Sequence, residues 1–179
     1  MSLGGRTERL FFDAVEGLSN LGMSPLAVSP DASHVISQTG VRSGICYYAV
    51  EPVLRTIDGS IERIDGLARR LSDGISVFID SIEWTDRDAY LLSGRERPID
   101  CNDHTLSPSP RLYRCTIEGG CRDTGIAARG ATQSGEGDLA YLEPFPDNGR
   151  PLTGLVIRWK NGRSQRLDVE AYAHMAWSS

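Results

Sequence analysis

Four cysteines, Cys46, Cys101, Cys115 and Cys121, carry the most distinctive chemistry in this 179-residue chain. Cys115 and Cys121 flank the segment Thr116–Gly120. If that segment is a hairpin, the two thiols face each other across paired strands and can close a disulfide, which requires an oxidising compartment. The other reading is a pair of half-buried free thiols. No CxxC pair or zinc-finger spacing occurs, so no structural zinc site is expected. Cys101-Asn102-Asp103-His104 places a thiol, a carboxylate and an imidazole within four residues. A metal or nucleophile site there would need partners from elsewhere in the fold, and the plainer reading is a solvated loop. GxSxG, HExxH, P-loop and dinucleotide fingerprints do not occur, nor does an EF-hand run among the aspartates. The sequence therefore assigns no catalytic residue, no metal site and no cofactor.

Recognition chemistry is concentrated in two irregular stretches. Arg95–Pro110 is the longest charged and proline-rich segment and contains Arg95, Arg97, Asp100, Asp103 and His104. Glu143–Thr153 repeats that character with Pro144, Pro146, Asp147, Arg150 and Pro151. Long connections on a rigid scaffold are where binding tends to reside, the alternative being tolerated insertions.

The elements that must hold these stretches read as short strands. The 19 glycines and 9 prolines are spread along the chain, as in a protein where strands alternate with turns. Arg6-Thr7-Glu8-Arg9-Leu10 returns as Arg163-Ser164-Gln165-Arg166-Leu167, with the weaker Ser60-Ile61-Glu62-Arg63-Ile64 between them. An apolar residue followed by Ser or Thr and a turn recurs at Val28-Ser29, Trp84-Thr85, Ala131-Thr132 and Trp177-Ser178. The period of roughly 50 residues is that of a four-stranded repeat. Three full units are expected, over about residues 25–73, 79–128 and 129–171, with partial strands at 6–13 and 175–179. Expected first strands are 25–29, 79–85, 130–133 and 175–178; second strands are 34–38, 89–93 and 139–143. Third strands are expected at 45–50, 111–117 and 154–160, and fourth strands at 7–13, 61–67, 122–127 and 164–171. The rhythm of Ile61, Ile64, Leu67, Ala68 and Leu71 also fits a short helix, which Gly66 weakens. Asn161-Gly162 predicts a type I′ hairpin turn, and Asp58-Gly59 and Gly119-Gly120 the same in the other units.

Pro25-Leu26-Ala27-Val28-Ser29-Pro30-Asp31 with Val35-Ile36 resembles the opening two strands of a blade in TolB-like and WD-repeat-like β-propellers. Ser81–Asp86 with Ala89–Leu92, and the hairpin Leu112–Gly120, are similar to the same blade's opening and centre. The resemblance covers nearly the whole chain and implies an all-β fold of antiparallel four-stranded blades, a partial propeller of about three. The Trp-Asp end of a true WD repeat is missing. It further implies that the second-to-third connections converge at one end, bringing Arg95, Arg97, Asp100, Asp103 and His104 together with Asp147 and Arg150 as a binding surface. Trp84 and Trp177 would pack blade against blade, an aromatic platform for sugar or peptide being the alternative. Propellers host many functions. The expected function is a non-enzymatic binding or assembly scaffold, a fragment of a larger propeller; the alternative is part of a propeller enzyme or ligand-sensing domain. Three blades leave two apolar faces to cover, which predicts self-association or a protein partner.

The formal net charge of −5 disfavours nucleic acid and anionic membranes, since phosphate binding needs a basic stripe. No apolar run is long enough to span a bilayer, so no membrane insertion is expected; a small ligand remains compatible. A Cys115–Cys121 disulfide would imply an extracellular or periplasmic location, and free thiols a cytoplasmic one.

Overall fold

A computed structural model describes residues 25–43, 47–56, 59–64, 66–67, 75–98, 109–144 and 152–170. All regular structure among the described residues is β-strand, in three antiparallel sheets of four strands, each a simple meander. Sheet one holds β1 (Pro25–Val28), β2 (His34–Ser43), β3 (Tyr47–Thr56) and β4 (Ile61–Arg63). Sheet two holds β5 (Ile75–Trp84), β6 (Ala89–Pro98), β7 (Arg111–Thr116) and β8 (Gly120–Ala127). Sheet three holds β9 (Gly130–Gln133), β10 (Leu139–Leu142), β11 (Leu152–Arg158) and β12 (Ser164–Glu170). The expected strands at 7–13 and 175–178 lie outside the described residues.

The same hydrogen bonds open each sheet. Ser29 N–H donates to the His34 carbonyl, Thr85 N–H to Ala89 and Ser134 N–H to Asp138, each at 2.9 Å. Ser29 and Ser134 also accept the His34 and Asp138 amides on their hydroxyls at 2.9 and 3.0 Å. A serine hydroxyl closes such a turn because it substitutes for a backbone acceptor. These bonds correct the phase of the repeat: the third unit aligns on Gln133-Ser134, not on Ala131-Thr132. In the first unit the Asp31 carboxylate accepts bonds from Ser29 Oγ (2.7 Å), Ser33 Oγ (2.6 Å) and Ser33 N–H (3.0 Å). These donors, Ser33 foremost, hold its pKa far below the usual carboxylate range.

Ala32 closes that turn at φ +58°, the sole positive φ outside glycine among the described residues. A Cβ is disfavoured in this region by roughly 1–2 kcal/mol, partly offset by the greater freedom glycine has when unfolded. Ala32→Gly is therefore expected to stabilise the fold by about 0.5–1 kcal/mol, read as a higher midpoint in urea. A lower midpoint would show that alanine is unstrained there.

The outer hairpins differ from the expected type I′ turns. Trp159 N–H donates to the Arg163 carbonyl and Gly162 N–H returns to Trp159, both at 2.9 Å. Gly162 sits at φ +87°, while Asn161 stays outside the positive region. This is a three-residue loop, a type I turn followed by a left-handed glycine. Thr56, Gly59 and Ser60 repeat the pattern with bonds of 3.0 Å and Gly59 at φ +91°.

Other expectations shift as well: β2, β5 and β6 run over 34–43, 75–84 and 89–98, longer than expected, so Arg95 and Arg97 lie on a strand rather than in an irregular connection. Ile61–Arg63 is strand, paired with Val53–Arg55, so long-range pairing overrides the local helical rhythm at its start. The third strand of sheet one runs over Tyr47–Thr56 rather than 45–50. Pro52 lies where β3 overhangs β4, and an open edge tolerates a residue with no N–H.

The sheets stack face to face, because neighbouring residues on a strand point to opposite sides. Ile36, Leu54, Ile64 and Leu67 of the first unit pack against Val77, Tyr90, Leu92, Tyr113 and Cys115 of sheet two. Trp84 lies against this cluster, its ring 4.9 Å from that of Tyr90 and tilted by 53°. On the other face of sheet two, Leu91 and Leu112 pack with Ala128, Ala131 and Leu139. The opening bonds make His34, Ala89 and Asp138 equivalent, so Val35, Tyr90 and Leu139 correspond, as do Ile36, Leu91 and Ala140. Ile36 and Leu91 each face the following sheet, and Tyr90 and Leu139 the preceding one. Sheet two is thus buried on both sides. Val28 and Leu167 are the exposed large hydrophobics among the described residues.

Candidate functional site

In each sheet the second strand turns into the third at the same end of the meander. There β2 and β3 stay paired out to Ser43 and Tyr47, well past β1 and β4. β5 and β6 likewise pair from Ile75 with Pro98, whereas β7 reaches only Gly94. Arg95 sits in this overhang. Its guanidinium forks onto Asp80, with Nε 2.9 Å from Oδ2 and Nη2 2.6 Å from Oδ1. Asp80 can turn to meet it because the β5–β6 register shifts between Ile79 and Ser81, leaving Asp80 as the extra residue of a bulge. The Asp80 hydrogen bond raises the pKa of Arg95. Gly94 leaves little room beside them: a Cβ there would stand 3.0 Å from the Phe78 carbonyl oxygen.

Arg97 lies on β6 opposite Ser76. Asp100, Asp103 and His104, and Asp147 and Arg150, lie outside the described residues. Among the described residues, the partner of Arg95 is Asp80.

A second arrangement occupies the same end, between sheets two and three. Gly125, Ile126 and Ala127 at the end of β8, with Tyr141, Glu143 and Pro144 at the end of β10, line an open groove of about 510 Å³. Ile126 and Tyr141 pack on the Leu91–Leu112–Leu139 cluster, so the apolar floor continues the core. The β8 wall is shaped by a bulge between the Tyr113–Asp123 and Arg111–Ala127 pairings. Gly125 takes φ +74° there, Thr124 Oγ1 donates to the Leu112 carbonyl at 2.6 Å, and Asp123 Oδ1 accepts the Gly125 amide at 2.8 Å. The same Asp123 pairs with Arg111 at 2.8 Å.

The polar end of the groove is built across sheet three. Glu143 Oε2 accepts Arg166 Nε at 3.0 Å, and Arg166 Nη1 donates to Asp168 Oδ1 at 2.6 Å. The Glu143 hydrogen bond, then that of Asp168, raises the pKa of Arg166. Gly154 makes room for them: a Cβ there would lie 2.0 Å from Glu143 Oε2 and 2.7 Å from Arg166 Nε. Thr153 Oγ1 anchors the Glu143 carbonyl at 3.0 Å. Sequence reading placed Glu143 in a binding stretch and missed Tyr141, Ile126, Arg166 and Asp168. The available signal was Gly154, an isolated glycine in the apolar run Leu152–Ile157, which marks a close approach.

Cys115 and Cys121 are directly opposite on β7 and β8 and joined by a disulfide, with Cα atoms 4.1 Å apart. Gly66, at φ +86°, passes so near that a Cβ on it would lie 2.3 Å from the Cys121 carbonyl oxygen. Among the described residues, no cluster of three or more His, Cys, Asp or Glu is placed to hold a metal. No helix among them is long and apolar enough to cross a membrane.

No protein-family model, curated protein or solved structure matches the chain.

Proposed function

We propose that the chain is a non-enzymatic binding and assembly scaffold of the β-propeller type, presenting its partner site at the end where second strands turn into third. The observation that carries this reading is the repeated stack. Three equivalent meanders bury equivalent residues against one another, and one end carries the overhanging hairpins, the Arg95–Asp80 fork and the groove. Rigid stacked sheets with polar features at one end suit recognition. The Cys115–Cys121 disulfide favours an oxidising compartment. The groove's volume also lies in the range of small-ligand sites, which supports a ligand-sensing domain as the second reading.

Displayed random peptides selected on the intact chain test the proposal. Selected binders should lose about tenfold or more in affinity for Arg95→Ala/Arg97→Ala, while the thermal midpoint moves by only a few degrees. Binding that survives this pair but is lost on changing Asp31 or Asn161 would put the functional end on the opposite side.

A further inference from the structure

The groove between sheets two and three has features that select a ligand class. Its floor is apolar, from Ile126, Ala127, Tyr141 and Pro144, and one end is acidic. Glu143, the acidic residue of the lining, shares a single cation, Arg166, with Asp168 on β12, and the three together carry one formal negative charge. Only Oε2 of Glu143 is used by Arg166, and Oε1 accepts no hydrogen bond from the described residues. The other nearby pair, Arg111 with Asp123, is internally neutral. Gly154 keeps the carboxylate in place by leaving the space a side chain would fill. One wall, β8, is the last strand of sheet two and pairs, among the described residues, with β7.

We propose that this groove binds an extended peptide that carries a basic side chain beside an apolar one. The guanidinium or ammonium would reach Glu143 Oε1 as a charge-assisted hydrogen bond, and the apolar neighbour would lie on Ile126 and Tyr141. A peptide fits better than a compact molecule because the groove is open and runs between the ends of β8 and β10. The chain's net charge of −5 favours encounter with a cation. This deepens the scaffold reading and rests on it.

The experiment is fluorescence anisotropy on the full chain with labelled hexapeptides. One carries a central arginine between two valines; its companions replace arginine with citrulline or glutamate. The arginine peptide should bind, citrulline should weaken it about tenfold or more, and glutamate should abolish binding. Glu143→Gln should remove the preference for arginine over citrulline while leaving the urea midpoint nearly unchanged. Gly154→Ala, which displaces the carboxylate, should act in the same direction. Equal binding of all three peptides, or an unchanged preference in Glu143→Gln, overturns the proposal. Agmatine competing as tightly as the whole peptide also overturns it, since the groove would then be a small-cation pocket. Failure here with selected binders still lost in Arg95→Ala/Arg97→Ala would sink the groove assignment and spare the scaffold reading.

Discussion

Truncating either of two adjacent leucines, Leu91→Ala or Leu92→Ala, is expected to cost about 2–5 kcal/mol of stability, and for different reasons. Leu92 is wholly buried among Ile36, Leu54 and Tyr113. Leu91, at 2% exposure, is buried among Leu112, Ala131 and Leu139. Each change leaves a cavity between a different pair of sheets. Because the clusters share no residue, the two losses should be nearly additive, although direct neighbours usually couple. Leu167→Ala, at a side chain 41% exposed, should cost well under 1 kcal/mol. Urea denaturation of the three variants and the double variant checks this. A small loss for Leu91→Ala would mean that sheet three does not pack on sheet two.

Reducing the Cys115–Cys121 bond should lower stability by about 2 kcal/mol. The chain-entropy relation gives roughly this value for so short a loop, and the half-cystines are six residues apart. The effect should appear as a lower urea midpoint in the presence of a phosphine reductant, with the slope nearly unchanged. Cys115 is fully buried, so Cys115→Ala with Cys121→Ala should lose somewhat more, from the space left behind. Identical midpoints with and without reductant would show that the bond does not form in solution or does not stabilise.

Much of this architecture was legible because it rests on local chemistry. Ser29, Thr85, Gly59 and Gly162 announce turns, and the alternation between them fixes strands within a few residues. β9 was read to the residue, and β1, β10 and β12 nearly so. Legibility failed where a long-range partner decides the outcome. Ile61–Arg63 has a helical rhythm but pairs with β3. The extent of β3 beyond Pro52 depends on where β4 stops. At the site, Arg95 was read as free for recognition, whereas the Asp80 bulge that captures it has no local signature. The Glu143–Arg166–Asp168 array joins the end of β10 to β12, two segments far apart in sequence, and only the gap at Gly154 hinted at it.

Burial of sheet two on both sides raises a problem of alignment. Tyr90, Leu91 and Leu92 are consecutive, buried and apolar, so sliding β6 by one residue would exchange which leucine enters which core and still satisfy both. Hydrophobic pattern alone does not choose between the two settings. The polar neighbours do. Ser93, at 1% exposure, donates its hydroxyl to the Ala128 carbonyl, and a slip would strand that hydroxyl away from water. Two residues on, Arg95 meets Asp80 only in the observed setting. These few polar contacts act as a key, making one alignment unique among several that an oily interior would accept.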